Sequence, residues 1–218
     1  GDFRSLEDMR ILFAREKQIP AQENTFRRLY LNQWTLSHSA YFERAKWAAC
    51  QMASDAELEG MPCYGGLDLG QSDDFSAWVR IWLLKDGRVG VRCRFWLPRS
   101  ALLKYPERPY AQWERAGLLT VTEGDTTDLD RVEAEIQADC TRDGVLEVSY
   151  DKKFASQLAL HLQGAGIAMI DTPQGFALNE AIRKVSEWVV NGLLCHNGHE
   201  ILGWMADNVV IKSGLHGD

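Results

Sequence analysis

Gly65-Gly-Leu-Asp-Leu-Gly-Gln-Ser-Asp-Asp-Phe-Ser-Ala-Trp-Val-Arg-Ile-Trp-Leu-Leu84 decides how this chain is read. It predicts a short apolar strand carrying one acid, Asp68, then a Gly/Ser/Asp turn, then a long alternating strand. A carboxylate inside a strand is costly to bury unless a cation or hydrogen-bond donors meet it. Gly65, Gly66 and Gly70 leave room beside it for a ligand or another backbone. Asp74 follows on the far side of the turn, where a hairpin folds it back toward Asp68. Paired acids of this kind suit a divalent metal working on phosphate.

Outward from this stretch, strands are predicted over 62–69, 75–84 and 88–97, with Lys85-Asp86-Gly87 as the hairpin turn. Phe75, Ala77, Val79, Ile81 and Leu83 share one face with Val89, Val91, Cys93 and Phe95. Trp78, Arg80 and Trp82 share the other with Arg88, Arg92, Arg94 and Trp96. This second face could meet nucleic acid, but packing under the N-terminal helices, with arginine stems on tryptophans, is the preferred reading. Beyond Pro98, residues 99–116 form a helical excursion. A strand at 118–122 then leads to Asp125-Thr-Thr-Asp128, a good cap for a helix over 129–142. A strand at 145–150 ends at Asp151, followed by helix 153–164, strand 167–170, helices 177–193 and 199–206, and strand 208–212. An antiparallel meander followed by alternating β and α elements predicts an α/β fold with a ribonuclease H-like mixed sheet and helices on both faces.

Before the meander, helices are predicted over 4–17, 25–33 and 39–52. Residues 1–60 therefore read as a helical linker and 61–218 as the domain proper. The chain of 218 residues has a net charge of −7, which argues against a passive nucleic-acid coat protein but not against a nucleic-acid enzyme. Cys50, Cys63, Cys93, Cys140 and Cys195 are scattered without metal-ligand spacing and read as reduced, packed thiols of a cytoplasmic protein. No apolar run is long enough to span a bilayer, and no signal pattern opens the chain.

Asp151 is the second key acid. It ends the buried-type strand Val145-Leu-Glu-Val-Ser-Tyr150, at the kind of strand end where ligands collect in open α/β sheets. If that strand lies beside 62–69, Asp151 and Asp68 point at one spot. Carboxylates that close repel unless a cation sits between them, and Mg²⁺ or Mn²⁺ are the natural candidates. A pair of such ions would drive phosphodiester hydrolysis. Each residue also has a plainer reading. Asp151 could simply cap helix 153–164, and Asp73 reads as an ordinary turn residue. Glu147 reads as exposed or paired, and His196 as closing the preceding helix rather than joining Cys195 and His199 at zinc.

The chain resembles the C-terminal nuclease domain of the large terminase subunits of tailed bacteriophages. Leu29-Tyr-Leu-Asn-Gln-Trp-Thr35 through Trp47-Ala-Ala-Cys50 is similar to the region linking the packaging ATPase to the nuclease. Gly66-Leu-Asp-Leu-Gly70 with Asp74-Phe-Ser-Ala77 resembles the first catalytic strand and its hairpin. Tyr150-Asp151, with the helix ending Leu162-Gln-Gly-Ala-Gly166, resembles the second acid motif. Thr172-Pro-Gln-Gly175, Leu193-Leu-Cys-His196 and Trp204-Met-Ala-Asp-Asn208 complete the run.

The resemblance implies a metal-dependent endonuclease that cuts concatemeric double-stranded viral DNA during packaging, with Asp68 and Asp151 as principal catalytic metal ligands and Asp74 as an auxiliary one. It implies two Mg²⁺ or Mn²⁺ ions. Its partners would be the terminase small subunit, the portal protein and the ATPase domain of the same full-length protein, in the cytoplasm of a bacterial host and away from membranes. The family's third acid lies beyond the strand corresponding to Asn208–Lys212, so a fragment truncated at both ends is expected, and Asp218 is not given that role. The Gly-rich loop with Lys and Ser/Thr that grips ATP phosphates is absent. Two alternatives remain open: an actin-like or sugar-kinase phosphate-binding domain, whose hairpin Gly-Leu-Asp-Leu-Gly-Gln-Ser imitates, and a non-catalytic packaging assembly module.

Overall fold

A computed structural model describes residues 41–70 and 72–209. The helices predicted over 4–17 and 25–33, and strand 208–212 beyond its first two residues, lie outside the described residues. Lys46–Leu202 makes one compact unit, and the described residues 41–45 and 203–209 belong to another. Within the second, the Tyr41 amide donates to the Val209 carbonyl at 3.2 Å, and Arg44 pairs with Asp207 at 3.8 Å.

The elements, in chain order, are α1 (Arg44–Ala48), α2 (Asp55–Leu58), β1 (Cys63–Asp68), β2 (Ser76–Leu83), β3 (Val89–Pro98), α3 (Arg99–Lys104), α4 (Tyr110–Arg115), β4 (Thr120–Thr122), α5 (Leu129–Asp143), β5 (Val145–Tyr150), α6 (Lys152–Gly164), β6 (Met169–Asp171), α7 (Asn179–Val190), β7 (Leu194–Cys195) and α8 (Glu200–Asn208). The strands form one mixed sheet in the order β4-β3-β2-β1-β5-β6. β1, β2 and β3 are antiparallel, whereas β5 joins β1 and β6 joins β5 in parallel. The outer edge of β3 is shared, with β7 pairing Val89 and Gly90 and β4 pairing Trp96–Pro98. This is the mixed sheet predicted from the element order.

Turn chemistry sets the hairpin between β2 and β3. Gly87, at φ 86°, closes the turn with its amide on the Leu84 carbonyl. Asp128 caps α5 by accepting from the Arg131 amide at 3.1 Å, and Gly144, at φ 61°, ends that helix.

The Trp/Arg face of the meander is buried, and α5 covers its Trp78 and Trp96 end. Trp78 and Trp96 pack with Val132, Ile136 and Cys140 of α5, and with Leu158, Ala159 and Leu162 of α6. Asp139, fully buried, accepts from Trp78 Nε1 at 3.2 Å and from Arg94 at 2.6 and 2.9 Å, and pairs with Arg80 at 3.3 Å. At the other end of the face, Arg92 donates to Asp55 and to the Ala53 carbonyl, both at 2.7 Å. The expected covering by N-terminal helices thus holds only for the short segment 53–58, and a later helix supplies the main lid.

Three further expectations are corrected. The helix predicted over 39–52 is confined, among the described residues, to Arg44–Ala48. Helix 177–193 stops at Val190, and the next residues turn into β7. Asn208 ends α8 rather than starting a strand.

Candidate metal centre

The register that pairs Leu67 with Tyr150 makes Asp68 and Asp151 the next two residues along parallel neighbours. Asp68 is the last residue of β1, and Asp151 follows β5 directly. Two acids far apart in sequence therefore meet at adjacent strand ends, because β1 and β5 run side by side in the same direction. Asp68 shares its sheet face with Gly66 and Ser149, following the strand alternation.

Asp151 and the turn that bears Asp74 are held by local chemistry. Asp151 is the N-cap of α6, its Oδ1 accepting from the Lys153 amide at 2.8 Å. The plainer reading of Asp151 is thus correct, and its place beside Asp68 comes in addition. Asp74 sits in the turn between β1 and β2. Phe75, next to it, is wedged edge-on against Tyr110 of α4, with ring centroids 5.1 Å apart, and lies 6.1 Å from Phe95 of β3. Asp73 forms an ion pair with Lys104 and is therefore more than a turn residue.

The electrostatics tie the three acids together. Asp68 is open to solvent at the sheet's end, yet its carboxyl is pushed above the usual carboxylate range. Partial desolvation is the largest cause, followed by the negative charges of Asp151 and then of Asp74. Among the described residues, no three His, Cys, Asp or Glu side chains lie close enough to hold a metal between them as they stand. Asp68 and Asp151 supply a pair of oxygen donors, and Asp74 exerts the weaker field.

The glycines divide the work. A Cβ at Gly65 would strike the Trp78 ring at 2.2 Å, and one at Gly70 would strike the Asp74 carbonyl oxygen at 2.4 Å. Those two admit the core tryptophan and the returning turn. Gly66 has nothing within 4 Å of where its Cβ would be, so the space on Asp68's own face stays open.

Other candidates fall away. His196 follows β7 instead of closing a helix; its Nε2 bonds the Trp47 carbonyl at 3.0 Å and its Nδ1 accepts from the Gly198 amide at 3.1 Å. With its ring also stacked 4.5 Å from Trp47, neither nitrogen is left for a metal. All five cysteines are free thiols, as expected. Glu147 is exposed. A cleft of about 660 Å³ bounded by Arg80, Trp82, Arg92 and Arg142 lies toward the opposite strand ends, and its guanidinium groups are already paired with Asp55, Asp139 and Asp143. Sequence reasoning missed Lys104, which pairs with Asp73, and Asp139, the buried acceptor of Trp78 and Arg94.

Fold and acids together define a ribonuclease H-like domain with carboxylates gathered at the C-terminal ends of its central parallel strands. The model of the terminase large subunit, endonuclease domain, matches residues 1–217, and the chain belongs to that family. It is 29% identical over 225 residues to the large terminase subunit of Enterobacteria phage HK97, covering 100% of this chain and 44% of the phage protein. It is 26% identical over 204 residues to protein YmfN of Escherichia coli strain K12, covering 87% of this chain and 45% of that protein. The chain thus spans less than half the length of these curated relatives. The crystal structure of the HK97 large terminase matches with a TM-score of 0.74, over 100% of this chain and 46% of that one. The large terminase nuclease from thermophilic phage G20c shares the fold at 12% identity, with a TM-score of 0.53 over 79% of this chain and 83% of that one, and has also been solved with bound magnesium.

Proposed function

We propose that this chain carries the metal-dependent endonuclease activity of a phage terminase large subunit, hydrolysing phosphodiester bonds of concatemeric double-stranded DNA during genome packaging. The observation that supports it most is the adjacency of Asp68 and Asp151, with Asp74 acting on the same carboxyl. A carboxylate pushed above its usual range by acidic neighbours fits a small oxygen-seeking cation, which relieves the repulsion by binding beside it. Asp68 and Asp151 would hold Mg²⁺ or Mn²⁺, with Asp74 auxiliary and a second ion alongside. When bound, such ions supply Lewis acidity to an attacking water and to the leaving oxygen. The magnesium-bound nuclease of the same fold favours this choice of ion.

The chain's own groups do the rest. The cap bond fixes Asp151, the Phe75 cluster fixes the end of the turn bearing Asp74, and Gly66 keeps the approach to Asp68 clear. In the reading proposed, residues 1–60 link this domain to an ATPase region, and 61–218 form the nuclease. The motor partners would be the small subunit and portal, in the cytoplasm of a bacterial host.

Plasmid nicking with Mn²⁺ against EDTA tests the reading. Asp68→Asn and Asp151→Asn should each cut cleavage by more than about 100-fold, since even outer-shell losses at metal sites cost roughly 10- to 100-fold. Asparagine is itself a good helix cap, so Asp151→Asn removes the charge and keeps the cap. Unchanged nicking in both variants, or nicking that persists in EDTA, would overturn the assignment, and absent nicking in the wild type would favour a non-catalytic packaging module.

A further inference from the structure

The excursion 99–116 sits against the acid turn at two points. Lys104, at the end of α3, pairs with Asp73, and Tyr110 and Trp113 of α4 pack on Phe75, with ring centroids 5.1 and 6.3 Å away. Asp74 lies between those two anchor residues in sequence. In a chain of net charge −7, the excursion carries Arg99, Lys104, Arg108 and Arg115 against only Glu107 and Glu114. Arg99 is consumed by Glu114 and Glu123, and Arg115 bonds the Ala111 carbonyl. Arg108 is different. Its guanidinium carbon lies over the Tyr105 ring, 4.1 Å from the centroid, one nitrogen donates to the Tyr110 hydroxyl at 2.7 Å, and its acid contact, Glu107, is 4.0 Å away. The Lys104 ammonium lies 5.3 Å from the same ring. Arg108 and Lys104 keep 40% and 55% of their side-chain surface exposed.

We infer that Lys104, Tyr105 and Arg108 form a phosphate clamp that seats the backbone of a DNA duplex beside the Asp68–Asp151 pair. The clamp rests on the nuclease reading above. A guanidinium held over an aromatic ring loses little further freedom when its donors grip a phosphate, and its planar fork matches phosphate oxygens. Lys104, through its ion pair with Asp73, fixes the clamp's distance from the acid turn. Arg108 is a binding residue and Lys104 a positioning one. Contacts of this kind carry no base readout and act alike on every sequence.

The test is fluorescence anisotropy of a short labelled DNA duplex across a salt series in Ca²⁺, paired with Mn²⁺ nicking kinetics. Arg108→Ala should weaken duplex binding about 3- to 10-fold and lower the salt slope by about 0.9, the contribution of one phosphate contact. KM for DNA should rise by a similar factor, while kcat and the Mn²⁺ affinity measured by calorimetry hold. Lys104→Gln should raise KM as well, and Arg108→Lys should recover the salt slope but only part of the affinity. Unchanged affinity and slope in Arg108→Ala and Lys104→Gln, with a wild type that binds and nicks, would overturn the clamp alone. Weaker binding at an unchanged slope would also overturn it, because a merely structural residue removes no counterion. A wild type that neither binds nor nicks would overturn the nuclease reading and the clamp together.

Discussion

Asp68 sits where its charge is unwelcome, and that has a measurable cost. In the unfolded chain its carboxyl ionises in the ordinary carboxylate range; in the folded chain desolvation, Asp151 and Asp74 delay ionisation to higher pH. Across that interval the unfolded state has already released its proton, so rising pH lowers stability, and the loss persists at neutrality. Asp68→Asn should therefore stabilise the metal-free protein at pH 7, by an amount kept to the order of 0.5 kcal/mol by solvent screening at this exposed position. The gain should vanish as pH falls below the ordinary carboxylate range, where wild-type Asp68 is protonated in both states. Urea denaturation of both proteins with EDTA at several pH values measures it, and a variant less stable than wild type at pH 7 would contradict the sign. Most of this was legible in sequence: an acid in a glycine-lined strand needs a partner. The helix cap at Asp151 and its meeting with Asp68 were both legible as separate readings, but not that the two hold at once, because a strand-end Asp in sequence does not reveal which strand lies beside it.

At the level of elements, α5 and the β2–β3 hairpin are joined through one buried carboxylate. Burial alone would raise the Asp139 carboxyl, but the hydrogen bond from Arg94 and the charges of Arg80, Arg94 and Arg142 outweigh it and hold it below the usual range. Its stabilising contribution is complete above the unfolded-state range and is lost as pH falls through the depressed folded value. Asp139→Ala leaves Arg80, only 5% exposed, with one fewer acid and Trp78 Nε1 without its acceptor. The cost should be about 3–5 kcal/mol, as for other buried pairs broken on one side, read by chemical denaturation. A loss under about 1 kcal/mol would mean that Asp143 and Glu135 already neutralise the cluster. The inward arginines were visible in the alternation of the strands, and Glu135, Asp139 and Asp143 recur at helical i,i+4 spacing in 129–142 and its end. A search for the counter-charge of that face would have found this lid. Other elements gave no such signal. β7 has two residues, too few to show any period, and the Ala- and aromatic-rich stretch 39–52 imitated a helix whose described part spans only Arg44–Ala48. Lys104 was invisible for a different reason: its partner Asp73 lies 31 positions away, across a turn whose path depends on aromatic packing.

For the molecule as a whole, metal binding and folding are linked through the same acids. A divalent ion that binds only the folded state stabilises it by RT ln(1 + [L]/Kd), about 2.7 kcal/mol at a hundredfold excess over Kd. For a chain of 218 residues this shifts Tm by roughly 5–10 °C. The wild type should show that rise with Mn²⁺ or Mg²⁺ against EDTA, whether or not DNA is present. Asp68→Asn starts slightly more stable and should gain little, because the repulsion that the cation relieves has gone and one oxygen ligand has lost its charge. Asp151→Asn should behave likewise while keeping the start of α6 intact. Asp139→Ala should begin far lower yet retain the full metal-induced rise, since its carboxylate belongs to the opposite sheet face and the interactions add independently at that separation. The comparison separates site from scaffold by differential scanning fluorimetry alone. An equal rise in Asp68→Asn and wild type would place the metal elsewhere on this acidic surface, and an absent rise in the wild type would mean that the pair of strand-end carboxylates does not take up the ion unaided.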